Sequence, residues 1–333
     1  MNGISVIICC YNSTSLLAPT LAHLAKQKTD ASLNWEIIVV DNASTDNTST
    51  FAAEEWRKYQ SPADFKIVFE SSPGLMSARI KGKNESKYDY LIFCDDDNWL
   101  CEGYVQNAFR VMDQNKNIGL CGGAGSPVYE IDKPEWLSNF IAETGYAMGP
   151  QGSSSEGPVD SDRPLIYGAG TVARKKLLQD IYANFNHSNL LLSGRKGTVL
   201  AAGDDAAISF FALMNNHQLW YSSKLQFKHF IPKKRLNKEY ALRMYEGFGA
   251  ASAHIKLYHS FLPGTGPVKK LFYAHWIGQL ILQTILVVKD YFLFKEKSAK
   301  PFIIKMQTAA LKEIVKNHKE LNDKRAFLSK YYL

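Results

Sequence analysis

The sequence predicts an α/β protein: a doubly wound, mostly parallel sheet followed by a C-terminal helical extension. Three observations carry that prediction. Apolar, β-branched runs alternate with helical periodicity from Ile4 to Gly122. Three of those runs end abruptly in polar clusters, as strands of an open sheet do at their carboxyl ends. The charge is split along the chain. From Lys224 to Leu333 there are 21 Lys and Arg against 7 Asp and Glu, while Met1 to Ser223 carries 18 against 25. The 333 residues suit two domains, or one large α/β domain with an appendage. Hydrophobic residues at 46% and charged residues at 21% exclude a disordered or collagen-like chain. A chain of this length buries a full core without disulfides.

The elements follow in order. Ile4–Cys10 is a mostly apolar run, as a strand buried on both faces requires. Tyr11-Asn12-Ser13 ends it, and Leu16, Leu17, Leu21 and Leu24 then share one helix face. Glu36–Val40 is the second strand, closed by Asp41–Asn47, a loop dense in turn-capping side chains. A helix over Thr48–Tyr59 and a strand over Lys66–Phe69 come next. Pro73-Gly74 breaks the chain before a short helix through Arg79. Tyr88–Cys94 is a strand ended by Asp95-Asp96-Asp97; a helix over Gly103–Asn115 and a strand over Ile118–Gly122 complete the alternation.

Beyond Gly123 the stretch Gly145–Arg163 reads as a long Gly-, Ser- and Pro-rich loop. Leu165–Tyr167 reads as a strand entering a turn at Gly168-Ala169-Gly170, and Arg174–Tyr182 as a helix. Gly203-Asp204-Asp205 precedes a helix over Ala206–Asn215. Leu219–Ser222 and Leu225–Phe230 read as two strands. From Asn237 the pattern is helical, with Pro263, Gly264, Gly266 and Pro267 separating two long helices. The expected division is a domain of residues 1–235 and an extension of residues 236–333.

The five cysteines show no CxxC spacing, and Cys9, Cys10 and Cys94 lie in apolar runs. They read as reduced core thiols of a cytoplasmic protein, with no thiolate metal site. The run Ile4–Cys10 is short and lacks a basic segment before it, so a secretory signal is not expected.

Asp95-Asp96-Asp97 is the sharpest feature. Adjacent carboxylates at a strand end repel one another unless a hard divalent cation, Mg²⁺ or Mn²⁺, is shared with them, and such an ion bridges a diphosphate. A solvated turn capping the next helix is the plainer reading. Asp204-Asp205 opens a helix, where the dipole favours carboxylates. By itself the pair is a helix cap; beside a metal-binding rim, one of its carboxylates becomes a proton acceptor.

Taken in order, the motifs resemble those of family 2 glycosyltransferases of the GT-A fold. They are Val6-Ile-Ile-Cys-Cys-Tyr-Asn12, Ile37-Ile-Val-Val-Asp-Asn-Ala-Ser-Thr-Asp46, Pro73-Gly-Leu-Met-Ser-Ala-Arg79, Asp95-Asp96-Asp97, Gly168-Ala-Gly170, Gly203-Asp204-Asp205 and the later His229. They span residues 4–235. The resemblance implies that Tyr11, Asn12 and Asp41 hold the nucleobase and that Gly74 to Arg79 lies beside the donor. It implies Asp97 as the direct metal ligand, with Asp95 or Asp96 nearer the ribose and sugar. Asp205 is then the catalytic base. Asp204 replaces the family's usual Glu, one methylene shorter, which alters its acceptor contact. His229 stands where a His sometimes completes the metal site; a structural His on a strand is the alternative. Gly168 and Gly170 are expected to form a turn near the acceptor. Trp220 and Tyr221 are expected in the core, and Lys233, Lys234 and Arg235 either screen the diphosphate or form a solvated face. The implied reaction moves a sugar from a nucleotide diphosphate, a UDP-sugar in the first instance, to a hydroxyl of a glycan or polyprenyl-linked acceptor. It proceeds with inversion and with Mn²⁺ or Mg²⁺ as cofactor.

Leu271–Val288 is an 18-residue apolar stretch flanked by Lys269, Lys270 and Lys289. His275, Gln279 and Gln283 fall on one face of it at helical spacing. That pattern suits an in-plane interfacial helix best, then a soluble helix, then a transmembrane span. With the basic tail it predicts a peripheral protein at the cytoplasmic face of the cell membrane, on anionic lipid. Nucleic acid is not an expected partner, since no recognition motif accompanies the basic residues. The rival readings are a non-catalytic nucleic-acid- or lipid-binding protein and a sugar nucleotidyltransferase. The latter wants a Gly-rich loop after the first strand, and Tyr11-Asn12-Ser13-Thr14 has no glycine.

Overall fold

A computed structural model of the chain describes residues 1–60, 63–144, 151–160, 164–185 and 202–332. It forms two compact units. The first comprises Met1–Val128, Pro150–Tyr182 and Asn216–Ile231; the second comprises Tyr129–Gly149, Ala183–Asn215 and Pro232–Leu333.

The first unit is built on a mixed sheet with a parallel centre. Its strands are β1 (Ile4–Cys10), β2 (Trp35–Asn42), β3 (Asp64–Glu70), β4 (Tyr90–Asp95), β5 (Asn98–Leu100), β6 (Ile118–Tyr129), β7 (Gln151–Gly152), β8 (Gly157–Pro158), β9 (Thr171–Arg174) and β10 (Gln218–Ile231). The order is β3-β2-β1-β4-β9-β6-β10-β5, with β7 on β6 and β8 on β10. β3, β2, β1 and β4 run parallel, and β9 enters antiparallel beside β4. The helices α1 (Leu17–Ala25), α2 (Thr48–Trp56), α3 (Leu75–Glu85) and α4 (Tyr104–Gln114) connect the strands as the alternation predicts, and α6 (Lys175–Phe185) follows β9. β1 and β2 are buried almost throughout, which is why their sequences are continuously apolar. The parallel register sets Cys10 beside Asp41 and Cys9 beside Asp95. The polar ends of three strands therefore share one rim.

Several elements differ from the sequence expectation. β5 follows the aspartate triplet directly, too short to carry a pattern. β6 runs on past Gly122, because Gly123 lets the β10 backbone come close: a Cβ there would lie 1.6 Å from the Leu225 carbonyl oxygen. β10 is one strand, not two. The polar break at Ser222-Ser223 is absorbed by Glu156, which accepts from Trp220 Nε1 (3.0 Å), Ser222 Oγ (3.0 Å), Ser223 N (2.9 Å) and Ser223 Oγ (3.1 Å). Leu165–Tyr167 is not a strand; β9 begins after the glycine turn. Within the expected loop Gly145–Arg163, residues 145–150 and 161–163 lie outside the described residues, and β7 and β8 occupy part of the rest. Trp220 packs against the core, and Tyr221 donates to the Leu165 carbonyl at 3.0 Å.

The second unit is helical: α5 (Glu135–Thr144), α7 (Asp204–Met214), α8 (Lys238–His259), α9 (Pro267–Ala274), α10 (Trp276–Leu293), α11 (Lys300–Lys316) and α12 (His318–Tyr332). Asn237 caps α8 by accepting from Tyr240 N at 2.8 Å. Phe140, Tyr245 and Phe302 form an aromatic cluster, with the Phe140 and Phe302 centroids 4.4 Å apart. The stretch Leu271–Val288 is not one helix. His275 is extended (φ −112°, ψ 133°) and exposed, so it leaves the polar face assigned to it and separates α9 from α10. The apolar pattern continues across the break, and periodicity alone does not reveal it.

Among the cysteines, all five are free thiols, and Cys10, Cys94 and Cys121 are buried. Burial pushes the Cys9 thiol up to about 12.

Candidate active site

The rim of the first unit is a lattice of short polar side chains. Asn12 takes a left-handed backbone (φ 54°), a conformation Asn tolerates better than most residues. Its amide donates to Ser44 Oγ at 3.1 Å, and its Oδ1 accepts from Thr45 N at 2.8 Å. The loop after β1 is thereby locked to the loop after β2. Asp41 is buried; its carboxylate accepts from Ser44 N (3.1 Å) and Ser49 Oγ (2.5 Å). Asp46 clamps the same loops through Thr14 Oγ1 (2.9 Å) and Thr48 N (3.1 Å). Burial pushes its carboxyl up, but the hydrogen bonds from Thr48 and Thr14 outweigh it and hold the group below its ordinary range. Tyr11 is the exposed aromatic of this rim, its ring half open to solvent.

The aspartate triplet is divided in its environment. Asp95 ends β4, and its amide donates to Asn98 Oδ1 at 3.2 Å. Asp96 accepts a short hydrogen bond from Ser13 Oγ, and its carbonyl accepts from Thr20 Oγ1 at 2.7 Å. Asp97 is buried to 2% exposure and accepts from Asn98 Nδ2 at 3.0 Å. The pairing of β5 with β10 sets His229 beside Asn98, and His229 Nε2 comes to 3.5 Å from Asp97 Oδ1. On the other side of the ring, Nδ1 donates to Gln151 Oε1 at 2.6 Å. That bond orients the ring so that Nε2 faces Asp97.

Arg79, on α3, is buried with its guanidinium 5.4 Å from the Phe93 ring centroid. Asn42 anchors the segment leading to it, accepting from Gly74 N at 2.7 Å and donating to the Ser72 carbonyl at 2.7 Å. The glycine turn serves this packing. A Cβ at Gly168 would lie 2.5 Å from Arg79 Nη2, and Gly170, at φ +68°, receives Tyr104 Oη on its carbonyl at 2.5 Å. What approaches both glycines closely is the protein's own side chains.

The structure thus brings together Asn12, Asp41, Asp95, Asp96, Asp97 and His229 on the first unit. Asp204 and Asp205 belong to the second. They open α7 after Gly203, whose φ of 95° favours glycine. Asp204 is buried, and Asp205 Oδ1 accepts from Ala206 N at 2.8 Å. Lys233 and Lys234 are exposed on a 3₁₀ turn in the same unit. Three residues that sequence reasoning did not single out organise the rim. Ser13 joins the first loop to Asp96, Asn42 holds the approach to α3, and Gln151 orients His229. Asn42 lay within a quoted motif and Ser13 directly after one, whereas Gln151 sits in a low-pattern loop that offered no signal.

Among the described residues no group of three or more His, Cys, Asp or Glu could hold a metal by itself. One carboxylate and one imidazole face each other at Asp97 and His229. That donor set fits a divalent cation taking its remaining ligands from water and a diphosphate, as Mg²⁺ and Mn²⁺ do in phosphate sites.

The chain is 28% identical over 142 residues to the putative glycosyltransferase EpsH of Bacillus subtilis, covering 43% of this chain and 39% of that one. It is 28% identical over 125 residues to the poly(ribitol-phosphate) beta-N-acetylglucosaminyltransferase TarP of Staphylococcus aureus, covering 38% and 37%. The match therefore spans well under half the length of these relatives. Residues 1–349 of S. aureus TarS, solved in complex with UDP-GlcNAc, superpose with a TM-score of 0.52 at 15% identity, covering 99% of this chain and 91% of that one. At that identity the likeness is one of fold, and it agrees with the GT-A-type expectation. The family model for glycosyl transferase family 2 matches residues 5–181, more than half of the sequence and every rim residue named above but His229, and the chain belongs to that family.

Proposed function

We propose that the protein is an inverting glycosyltransferase that moves a sugar from a UDP-sugar to a hydroxyl of a glycan or polyprenyl-linked acceptor. The observation that carries this reading is the convergence of Asp41, the aspartate triplet and His229 on one sheet rim, braced by hydroxyls and amides before any ligand arrives. The UDP-GlcNAc complex of TarS and the name of TarP support a nucleotide-sugar donor.

In this reading Tyr11, Asn12 and Asp41 bind the uracil and ribose end of the donor. Arg79 and Asp95 or Asp96 orient the ribose and sugar. Asp97 and His229 hold the divalent cation, which when bound neutralises the diphosphate and improves it as a leaving group. Asp205 accepts the acceptor's hydroxyl proton. The acceptor oxygen forms its bond to the anomeric carbon from the face opposite the diphosphate. The bond from that carbon to the β-phosphate oxygen breaks, and its electron pair leaves on UDP. One displacement inverts the configuration. Asp204 stands beside the base as the acceptor-side carboxylate.

The test is turnover of UDP-sugars with Mn²⁺, followed by UDP release. Asp205→Asn keeps the shape of the side chain and loses its basicity, so turnover should fall by ~10²–10⁴-fold with donor affinity retained. Wild-type turnover in Asp205→Asn, with loss in Asp204→Asn instead, would exchange the two roles. Loss in neither would remove the base from α7.

A further inference from the structure

Helix α10 is turned inside out. Its polar side chains Gln279 and Gln283 are buried, at 1% and 0% exposure. Gln283 accepts from Lys256 Nζ at 2.7 Å and donates to the Gln307 carbonyl at 2.9 Å; Gln307 Nε2 in turn donates to Asp290 Oδ2 at 2.8 Å. Gln279 Nε2 donates to the Tyr273 carbonyl at 2.7 Å. These bonds fasten the polar face of α10 to α8, α9 and α11 within the second unit. The opposite face carries Ile277, Ile281, Ile285, Val288 and Phe292, at i, i+4, i+8, i+11 and i+15, each 49–73% exposed. Thr284 falls within this stripe, and its hydroxyl is bound to the Leu280 carbonyl at 2.8 Å. The stripe extends onto α9 through the exposed Val268 and Leu271.

The surroundings identify the occupant. Exposed lysines flank both ends of the stripe: Lys269 and Lys270 on α9, Lys289 on α10, and Lys295 and Lys297 after it. The stretch from Lys224 onward carries an excess of 14 positive charges. Two copies of this face laid together would stack these lysines against one another. An anionic lipid surface instead pairs with them and accepts the apolar side chains between. α10 is also the one described helix long and apolar enough to cross a bilayer. Its buried glutamines and their bonds to three neighbouring helices hold its polar face against protein, which suits a helix lying in the interface.

We propose that the exposed face of α9 and α10 docks the protein on an anionic membrane, with α10 in the plane of the headgroups. This goes beyond the transfer reaction and does not depend on it. The experiment uses the full chain in flotation with phosphatidylcholine vesicles, with and without phosphatidylglycerol. Wild type should float only with phosphatidylglycerol and be released by high salt. Ile281→Glu/Ile285→Glu, on exposed positions, should lower partitioning by roughly tenfold or more while keeping the wild-type helical content and UDP-sugar turnover without vesicles. Lys269→Glu/Lys270→Glu, a charge-only variant, should lower it as well. Equal flotation on both vesicle types, or no effect of either variant, overturns the proposal. So does a wild-type dimer that Ile281→Glu/Ile285→Glu dissociates, with no vesicle binding, since the stripe would then belong to a second copy. Flotation reads the face and turnover without vesicles reads the reaction, so either can fail alone.

Discussion

The rim of the first unit and the outer face of α10 use polar residues in opposite ways. At the rim, carboxylates and amides stand at strand ends and are braced by hydroxyls: Ser13 on Asp96, Ser49 on Asp41, Thr14 and Thr48 on Asp46. On α10 the amides face inward and tie helices together, and the aliphatic side chains face out. Both arrangements cost stability relative to an ordinary surface. Clustered carboxylates repel, and an exposed aliphatic stripe keeps its apolar area in water. Under the two proposals above, each region is completed by something outside the chain: a cation and diphosphate at the rim, a lipid surface at α10.

Three changes sharpen that contrast. The largest effect is expected at Gln151. Gln151→Ala removes the acceptor that orients the His229 ring, and loss of such an orienting partner weakens metal affinity by about 10–100-fold. Electron paramagnetic resonance of free Mn²⁺ reads this without activity; unchanged affinity would show that the ring is held by packing alone. Next is Ser13→Ala, which removes the hydroxyl from Asp96. A lost hydrogen bond to a charged group is worth about 1.5–3 kcal/mol, so UDP binding by calorimetry should weaken by roughly tenfold or more, with vesicle flotation unchanged. Parallel losses in both assays would mean that the two regions are not separate. The smallest effect concerns Lys256, where burial pushes the ammonium from its ordinary 10.5 down to about 8. Between those values the unfolded chain binds more protons than the folded one, so this group makes stability rise with pH across that window. The thermal midpoint of Lys256→Met should show a flatter pH dependence there than wild type. Identical slopes would mean that Lys256 is solvated.

Much of the parallel sheet was legible because burial on both faces leaves one kind of sequence. Ile4–Cys10 and Glu36–Val40 could hardly be anything but central strands, and the polar residues after them had to fall on one rim. The antiparallel half was less legible. β5 is three residues long and defined by its partner, β10, more than 120 residues away. Gly122 and Gly123 read as the end of a strand, whereas a backbone contact needs glycine there. The family resemblance named Asp97 and His229 as candidates, but only strand pairing sets them 3.5 Å apart. Gln151 acquires its place through the fold alone. On α10 the spacing of Gln279 and Gln283 was visible, yet periodicity separates two faces without saying which is buried. The usual rule would have turned the aliphatic face inward; hydrogen bonds to α8, α9 and α11 reverse it.

The most direct test of the central claim is equilibrium binding of UDP to the full chain, by calorimetry, in Mn²⁺, in chelator, and in Mn²⁺ with Asp97→Ala. If the rim holds a cation and a nucleotide diphosphate together, UDP binds in Mn²⁺ and its affinity falls by roughly a hundredfold or more both in chelator and in Asp97→Ala. Equal UDP affinity under all three conditions would contradict the account.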